Sequence, residues 1–266
     1  MKDLHKYEHE AMKTVFSLSI IEGDPVLARD SVRSAIQLLD QIENCLSRYI
    51  EGSDVWQINH MKTGQSIFIS ELSYDCIRLG LEAREQTGGL FDITLGRQIE
   101  HQKSREDSPQ PELAGLLQID PARPRVHCLE AGREIDLGGI GKGYALDCMA
   151  ARLKEWGIRA ALLSAGSSTQ LAFGEKAWQI QLEGESSNQV VQLKNQAISA
   201  SGTRIQGAHI LYPGSDGQRP QPHACVRVLD DSATAADVWS TATMLMTKEE
   251  INALIEGGAE ILLDGV

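Results

Sequence analysis

Apolar and polar positions along this chain recur with two periods, and the changes between them mark the elements. Phe16, Leu18 and Ile20 alternate with Ser17 and Ser19, the two-residue period of a half-buried strand, entered through Ala11-Met12-Lys13-Thr14. Asp24-Pro25 then supplies a cap and a first-turn proline, after which Val32, Ala35, Ile36, Leu39, Ile42 and Leu46 recur at helical spacing. A polar turn from Ser47 to Asp54 carries Tyr49, and Val55-Trp56-Gln57-Ile58-Asn59 follows it. Ile67-Phe68-Ile69 reads as a short strand, and Glu71 to about Thr87 as a second helix with Leu72, Cys76, Leu79 and Ala83 on one stripe and Gly88-Gly89 as its stop.

Residues 101–124 hold four of the eight prolines and a cluster of charges. They predict an irregular surface connection with at most one short helix, near Leu113 to Leu117, and no catalytic weight. Beyond it, strands are predicted at Ala160 to Leu163, at Trp178, Ile180 and Leu182, and near Val190 to Leu193, Ala197 to Ala200 and Cys225 to Leu229. A helix is expected around Asp237 to Met246, and the capping box Thr247-Lys248-Glu249-Glu250 announces another. There are no internal repeats and no low-complexity tract.

One stretch breaks both periods. Ile135-Asp136-Leu137-Gly138-Gly139-Ile140-Gly141-Lys142-Gly143-Tyr144 leads into a helix whose apolar face is Leu146, Met149, Ala150 and Leu153. Glycines without Cβ let successive N–H groups and the helix start turn toward an anion, and Lys142 adds a point charge, which suits a phosphate or pyrophosphate. The alternative is a tight turn whose glycines permit close packing. A Walker-type loop is excluded because Gly143, not Ser or Thr, follows Lys142, and a dinucleotide fingerprint lacks the required gap before its last glycine.

Composition narrows the chemistry. With 266 residues, 42% hydrophobic and 23% charged, the chain suits one large domain or two modest ones. A net charge of -12 argues against nucleic-acid binding, and it obliges an anionic substrate to find local cations or a divalent metal. The five cysteines are odd in number and form no C-x-x-C pair, as expected of buried small hydrophobes in a reducing compartment. With no apolar run long enough to span a bilayer and no h-region after Met1, the expectation is a cytoplasmic protein.

Three further positions carry candidate chemistry. Asp92 sits inside the apolar segment Leu90 to Leu95 and needs donors, as a turn residue or as a ligand. His209, with Arg204 nearby in a loop-rich stretch, is either a satisfied structural histidine or a proton-transfer group. Asp237 and Thr241, at i and i+4, share a helix face and offer hard oxygens to Mg²⁺, unless Asp237 is simply the N-cap.

Taken in order, Ala11-Met12-x-Thr14, Tyr49 with Ser53 and Asn59, Gly89-x-Phe91-Asp92-Ile93-Thr94, the glycine-lysine stretch, Ser201-Gly202, the loop from His209 to Pro213, and Asp237-x-x-Ser240-Thr241 resemble the ApbE family of FAD:protein FMN transferases over nearly the whole chain. That resemblance implies a single α+β domain over residues 1–266, a mixed sheet flanked by helices, with FAD in a cleft. It implies that Met12, Tyr49, Leu90, Phe91, Asp92, Asp136, Lys142 and Leu211 contact FAD, and that Mg²⁺ sits between the Gly139 carbonyl, Asp237, Ser240 and Thr241. It further implies transfer of FMN to a Thr or Ser hydroxyl of a target flavoprotein with release of AMP, Lys142 stabilising the leaving group and His209 serving as base. FAD hydrolysis on the same site, or flavin binding without catalysis, are the alternatives. Lys13 stands where relatives usually carry glycine, Tyr212 where they carry aspartate, and Ala165-Gly166-Ser167-Ser168 where they carry a glycine pair.

Overall fold

The computed structural model describes residues 3–104, 108–182, 189–202, 211 and 223–264. A hairpin opens the chain, with β1 (Asp3–Ala11) and β2 (Thr14–Glu22) paired antiparallel over their full lengths. Met12 and Lys13 form its two-residue turn, both at positive φ, 50° and 59°. That turn geometry matches the twist of a hairpin but favours glycine or asparagine. The sequence shows β2 but hides β1, because Lys6, Glu8 and Glu10 alternate with His5, Tyr7 and His9, which leaves no apolar face.

The next elements are α1 (Pro25–Leu46), α2 (Asp54–Asn59), β3 (Ser66–Phe68), α3 (Glu71–Gln86), α4 (Gly96–Ser104), β4 (Leu116–Ile119) and β5 (Arg125–Glu130). The helix expected near Leu113 to Leu117 is therefore corrected to strand β4, which pairs with β5 in a small sheet ordered β3-β5-β4. Tertiary pairing overrides local pattern there, since β4 is four residues long and alternates exposed with half-buried positions. There follow α5 (Gly141–Glu155), β6 (Ala161–Ala165), β7 (Thr169–Phe173), β8 (Trp178–Gln181), β9 (Val190–Leu193), β10 (Gln196–Gly202) and β11 (Cys225–Asp230). The last are α6 (Ala233–Thr243), α7 (Lys248–Glu256) and β12 (Glu260–Asp264). Helix α7 opens on the predicted capping box, with the Thr247 side chain and Glu250 exchanging bonds.

Two compact units make up the chain, the first comprising Met1–Gln41, Lys142–Gly207 and Gln221–Val266, the second Ile42–Gly141 and Ala208–Pro220. The first is built on a seven-stranded sheet, β1-β2-β6-β7-β10-β11-β12, in which every neighbouring pair is antiparallel. Period-two alternation assigns its faces. On β10, Ser199 and Ser201 point to the side covered by α6, while Ile198 joins Trp178, Ile180, Leu182 and Leu193 of the β8–β9 hairpin region in an apolar cluster. On α5 the predicted face, Leu146, Met149, Ala150 and Leu153, is buried. The class is α+β, as the resemblance implies. All five cysteines are free, and among the described residues no helix is long and apolar enough to cross a membrane.

Candidate functional site

Helix α6 begins four residues before Asp237, so the N-cap reading of that aspartate is corrected. Ser232 is the N-cap, its hydroxyl accepting from the Ala235 N–H. The half-buried carboxylate of Asp147, on α5, adds a second cap by accepting from the Ser232 and Thr234 hydroxyls and from the Ala233 and Thr234 N–H groups. The two N–H groups are orphan donors of a helix start. Asp237 lies in the second turn and is 1% exposed. Its Oδ1 accepts from Ser199 Oγ at 3.1 Å and Thr169 Oγ1 at 3.4 Å, and its Oδ2 from the Gly143 N–H at 3.1 Å. Among the described residues it has no cationic partner.

Ser240 and Thr241 follow on the same helix, and both hydroxyls donate to the Asp237 carbonyl, at 3.0 and 3.2 Å. Ser201 Oγ lies 2.9 Å from Ser240 Oγ and 3.4 Å from Thr241 Oγ1. The structure thus brings three of the four expected metal ligands into one oxygen-rich group. The fourth, Gly139, is half-buried in the turn that precedes α5.

The glycine-lysine stretch serves packing at one end and turn formation at the other. A Cβ on Gly143 would collide with the Ala233 carbonyl, so α5 reaches the start of α6 only without a side chain there. The Gly138 N–H donates to Asp136 Oδ1, and those of Ile140 and Gly141 to the Leu137 carbonyl. With Gly143 bound to Asp237, four N–H groups expected to face an anion have acceptors within the protein. Lys142 stands half-buried in the first turn of α5, and Met12 in the hairpin turn.

The second unit gathers another part of the expected site. The buried carboxylate of Asp136 faces Arg48 Nη1 at 3.4 Å and Lys103 Nζ at 3.5 Å. Arg48 also donates to Glu134 at 2.6 Å and to the Gly96 carbonyl at 2.7 Å, and its guanidinium stands over the Tyr49 ring. The Tyr49 hydroxyl donates to Glu100 at 3.1 Å and lies 3.4 Å from Lys103 Nζ. Tyr49 is 51% exposed, and the partial burial of its ring raises the phenol above its usual ionisation range; Lys103 opposes that shift and Glu100 reinforces it. Asn59 holds the segment in place, its amide bonding both the N–H and the carbonyl of Ile135.

Beside it runs the segment Leu90 to Gly96, joined through the Asp136 N–H to the Ile93 carbonyl and the Gly96 N–H to the Glu134 carbonyl. Phe91 is buried there and Leu90 half-buried. Asp92 has the donors its burial demands, the Thr94 N–H at 2.8 Å and Arg84 Nε at 2.9 Å. Leu211 is half-buried. His209, Arg204 and Tyr212 lie outside the described residues.

Sequence reasoning missed Arg48, Glu100, Lys103, Glu134, Thr169 and Ser199. Ser199-x-Ser201 was legible as two hydroxyls on one strand face, and Arg48 adjoins Tyr49. Nothing local marks the others.

The sequence model described as the ApbE family matches residues 12–263. Among curated relatives, an FAD:protein FMN transferase of Klebsiella pneumoniae (strain 342) is 23% identical over 92% of this chain and 79% of its own. Another of that name, from Buchnera aphidicola subsp. Schizaphis graminum, is 26% identical over 85% of this chain and 76% of its own. The apo crystal structure of Pseudomonas stutzeri flavinyl transferase ApbE superimposes with a TM-score of 0.83 at 24% identity, covering 98% of this chain and 92% of that one.

Proposed function

The chain belongs to the ApbE family, and from that membership we propose that it moves FMN from FAD onto a Thr or Ser hydroxyl of a target flavoprotein, with Mg²⁺ bound and AMP released. The observation that carries the reading is Asp237, a carboxylate 1% exposed, hydrogen-bonded yet without a cation among the described residues, beside the hydroxyls of Ser240 and Thr241.

The donor set fits the ion. One carboxylate with neutral hydroxyls and a carbonyl suits Mg²⁺, which takes few protein oxygens and completes its shell with water and phosphate. Asp237, Ser240, Thr241 and the Gly139 carbonyl would hold it. When bound, it supplies positive charge against the pyrophosphate oxygens.

The rest of the work falls to the chain's own groups. Tyr49, Leu90, Phe91, Met12 and Leu211 offer aromatic and apolar surface to FAD, and Asp92 and Asp136 offer acceptors. Lys142 adds a fixed charge for the departing AMP. The acceptor hydroxyl loses its proton to His209 as its oxygen bonds to the FMN phosphorus, and the bond from that phosphorus to the AMP oxygen breaks.

The test is incubation with FAD and Mg²⁺, with and without a Thr-containing acceptor protein, scoring AMP and acceptor-bound flavin. Transfer predicts both together, both abolished by EDTA and by Asp237→Ala. AMP with free FMN and no acceptor labelling would make the protein an FAD pyrophosphatase. Tight FAD binding with no AMP under any condition would leave a flavin-binding protein. Undiminished turnover in Asp237→Ala would remove the metal assignment.

A further inference from the structure

Beneath α6 lie three hydroxyls that no part of the proposed reaction uses. Thr169 on β7 and Ser199 on β10 are direct cross-strand partners, with hydroxyls 3.0 Å apart, and Ser201 follows two residues on along the same face. Thr169, Ser199 and Ser201 are all buried. Each hydroxyl has one proton to give, and an ionised carboxylate has none, so the direction of the network can be worked out.

Ser199 gives its proton to Asp237 Oδ1 at 3.1 Å. The Thr169 proton is then the one between Thr169 and Ser199, shared with Oδ1 at 3.4 Å. Ser240 and Thr241 direct theirs to the Asp237 carbonyl, Ser240 also reaching Ser199 Oγ at 3.4 Å, so Ser201 is the donor in its 2.9 Å contact with Ser240. Every proton thereby has an acceptor inside the network or on the helix backbone: Asp237 Oδ1 for Ser199, Oδ1 and Ser199 for Thr169, Ser240 for Ser201, and the Asp237 carbonyl for Ser240 and Thr241. Oδ1 is saturated from the sheet, whereas Oδ2 receives one donor, the Gly143 N–H, and keeps a lone pair.

We propose that Thr169, Ser199 and Ser201 are positioning residues of the metal centre, orienting Asp237 and Ser240 so that Oδ2 and the hydroxyl oxygens present lone pairs to a hard divalent cation. None of the three touches the ion. The inference rests on the assignment of Asp237, Ser240 and Thr241 to Mg²⁺ made above. Partners of metal ligands matter in this way because they fix the rotamer and the proton direction of the group that coordinates, and losing one typically weakens affinity by roughly 10- to 100-fold.

The test uses the full chain with FAD, Mn²⁺ standing in for Mg²⁺, and free Mn²⁺ read by electron paramagnetic resonance. Thr169→Val, which keeps the shape and loses the hydroxyl, should weaken Mn²⁺ binding by roughly 10- to 100-fold, and Ser199→Ala and Ser201→Ala should fall in the same range. Thr169→Ser, which keeps the hydroxyl, should bind like wild type. Thr243→Val, which removes a hydroxyl bonded to the Trp239 carbonyl on the same helix, should lower the melting temperature and leave Mn²⁺ affinity unchanged. If Ser199→Ala does not fold, the pair Thr169→Val and Thr169→Ser decides. Wild-type Mn²⁺ affinity in Thr169→Val, alongside lost binding in Asp237→Ala, would overturn this inference and leave the metal assignment standing. Wild-type Mn²⁺ affinity in Asp237→Ala, or no Mn²⁺ bound by the wild type, would overturn both.

Discussion

The backbone N–H of Gly143, in the first turn of α5, donates to Oδ2 of Asp237, in the second turn of α6, at 3.1 Å. The bond forms only because position 143 has no side chain, a Cβ there colliding with the Ala233 carbonyl. Gly143→Ala must push the two helices apart, and overpacking of this kind costs about 1–3 kcal/mol. Urea denaturation should show that loss together with weaker Mn²⁺ binding. A variant as stable as wild type would mean that α5 has slack against α6.

Asn59 and Ile135 close a ring of two hydrogen bonds, at 2.7 and 2.9 Å. Asn59→Leu keeps the approximate volume and strands both backbone groups of Ile135. Leaving a buried group unsatisfied costs about 1–3 kcal/mol, so a loss of about 2–4 kcal/mol is expected by denaturant titration. FAD affinity should fall as well, because Ile135 anchors the neighbouring Asp136. Unchanged affinity would separate Asp136 from flavin binding.

Lys13 holds a φ of 59° at an exposed hairpin tip, where an L residue is strained by about 1–2 kcal/mol. Lys13→Gly should therefore stabilise the protein by about 1 kcal/mol after the flexibility of glycine is counted. In a chain of this size that corresponds to a rise of about 2–4 °C in Tm. A lower Tm would show that Lys13 makes contacts worth more than the strain.

The Tyr49 phenol, raised chiefly by burial, remains neutral through the physiological range and donates to Glu100. Ultraviolet titration of wild type minus Tyr49→Phe should isolate a phenol that ionises above the ordinary tyrosine range. Lys103→Met removes an opposing positive charge and should move that ionisation further up. A component at or below the ordinary tyrosine range would show that partial burial does not outweigh the Lys103 charge at Tyr49.

What the sequence reveals depends on whether a signal is local. The face of α1, the α5 stripe and the Thr247 capping box are written in spacing alone, and the structure has all three. Strand β1 and strand β4 are not, because charged or short segments acquire strand geometry from the neighbour they pair with. The same division runs through the site. Asp237, Ser240 and Thr241 share one helix and are visible as a motif, whereas Thr169 and Ser199 meet only because β7 pairs with β10, and Lys103 reaches Asp136 from a segment read as a featureless connection.

Helix α6 is held at Ser232 by its cap and by Asp147, and again at Asp237 by Gly143, Thr169 and Ser199. Residues on an α-helix advance by about 100° each, so one residue inserted between these two points would swing the carboxylate more than a quarter-turn round the axis while the cap stayed fixed. The interval from 232 to 237 therefore behaves as a gauge of set length. Substitutions within it are open to variation wherever the side chain fits, but insertions and deletions are not, and the spacing is a stricter constraint on descendants of this chain than the identity of most residues inside it.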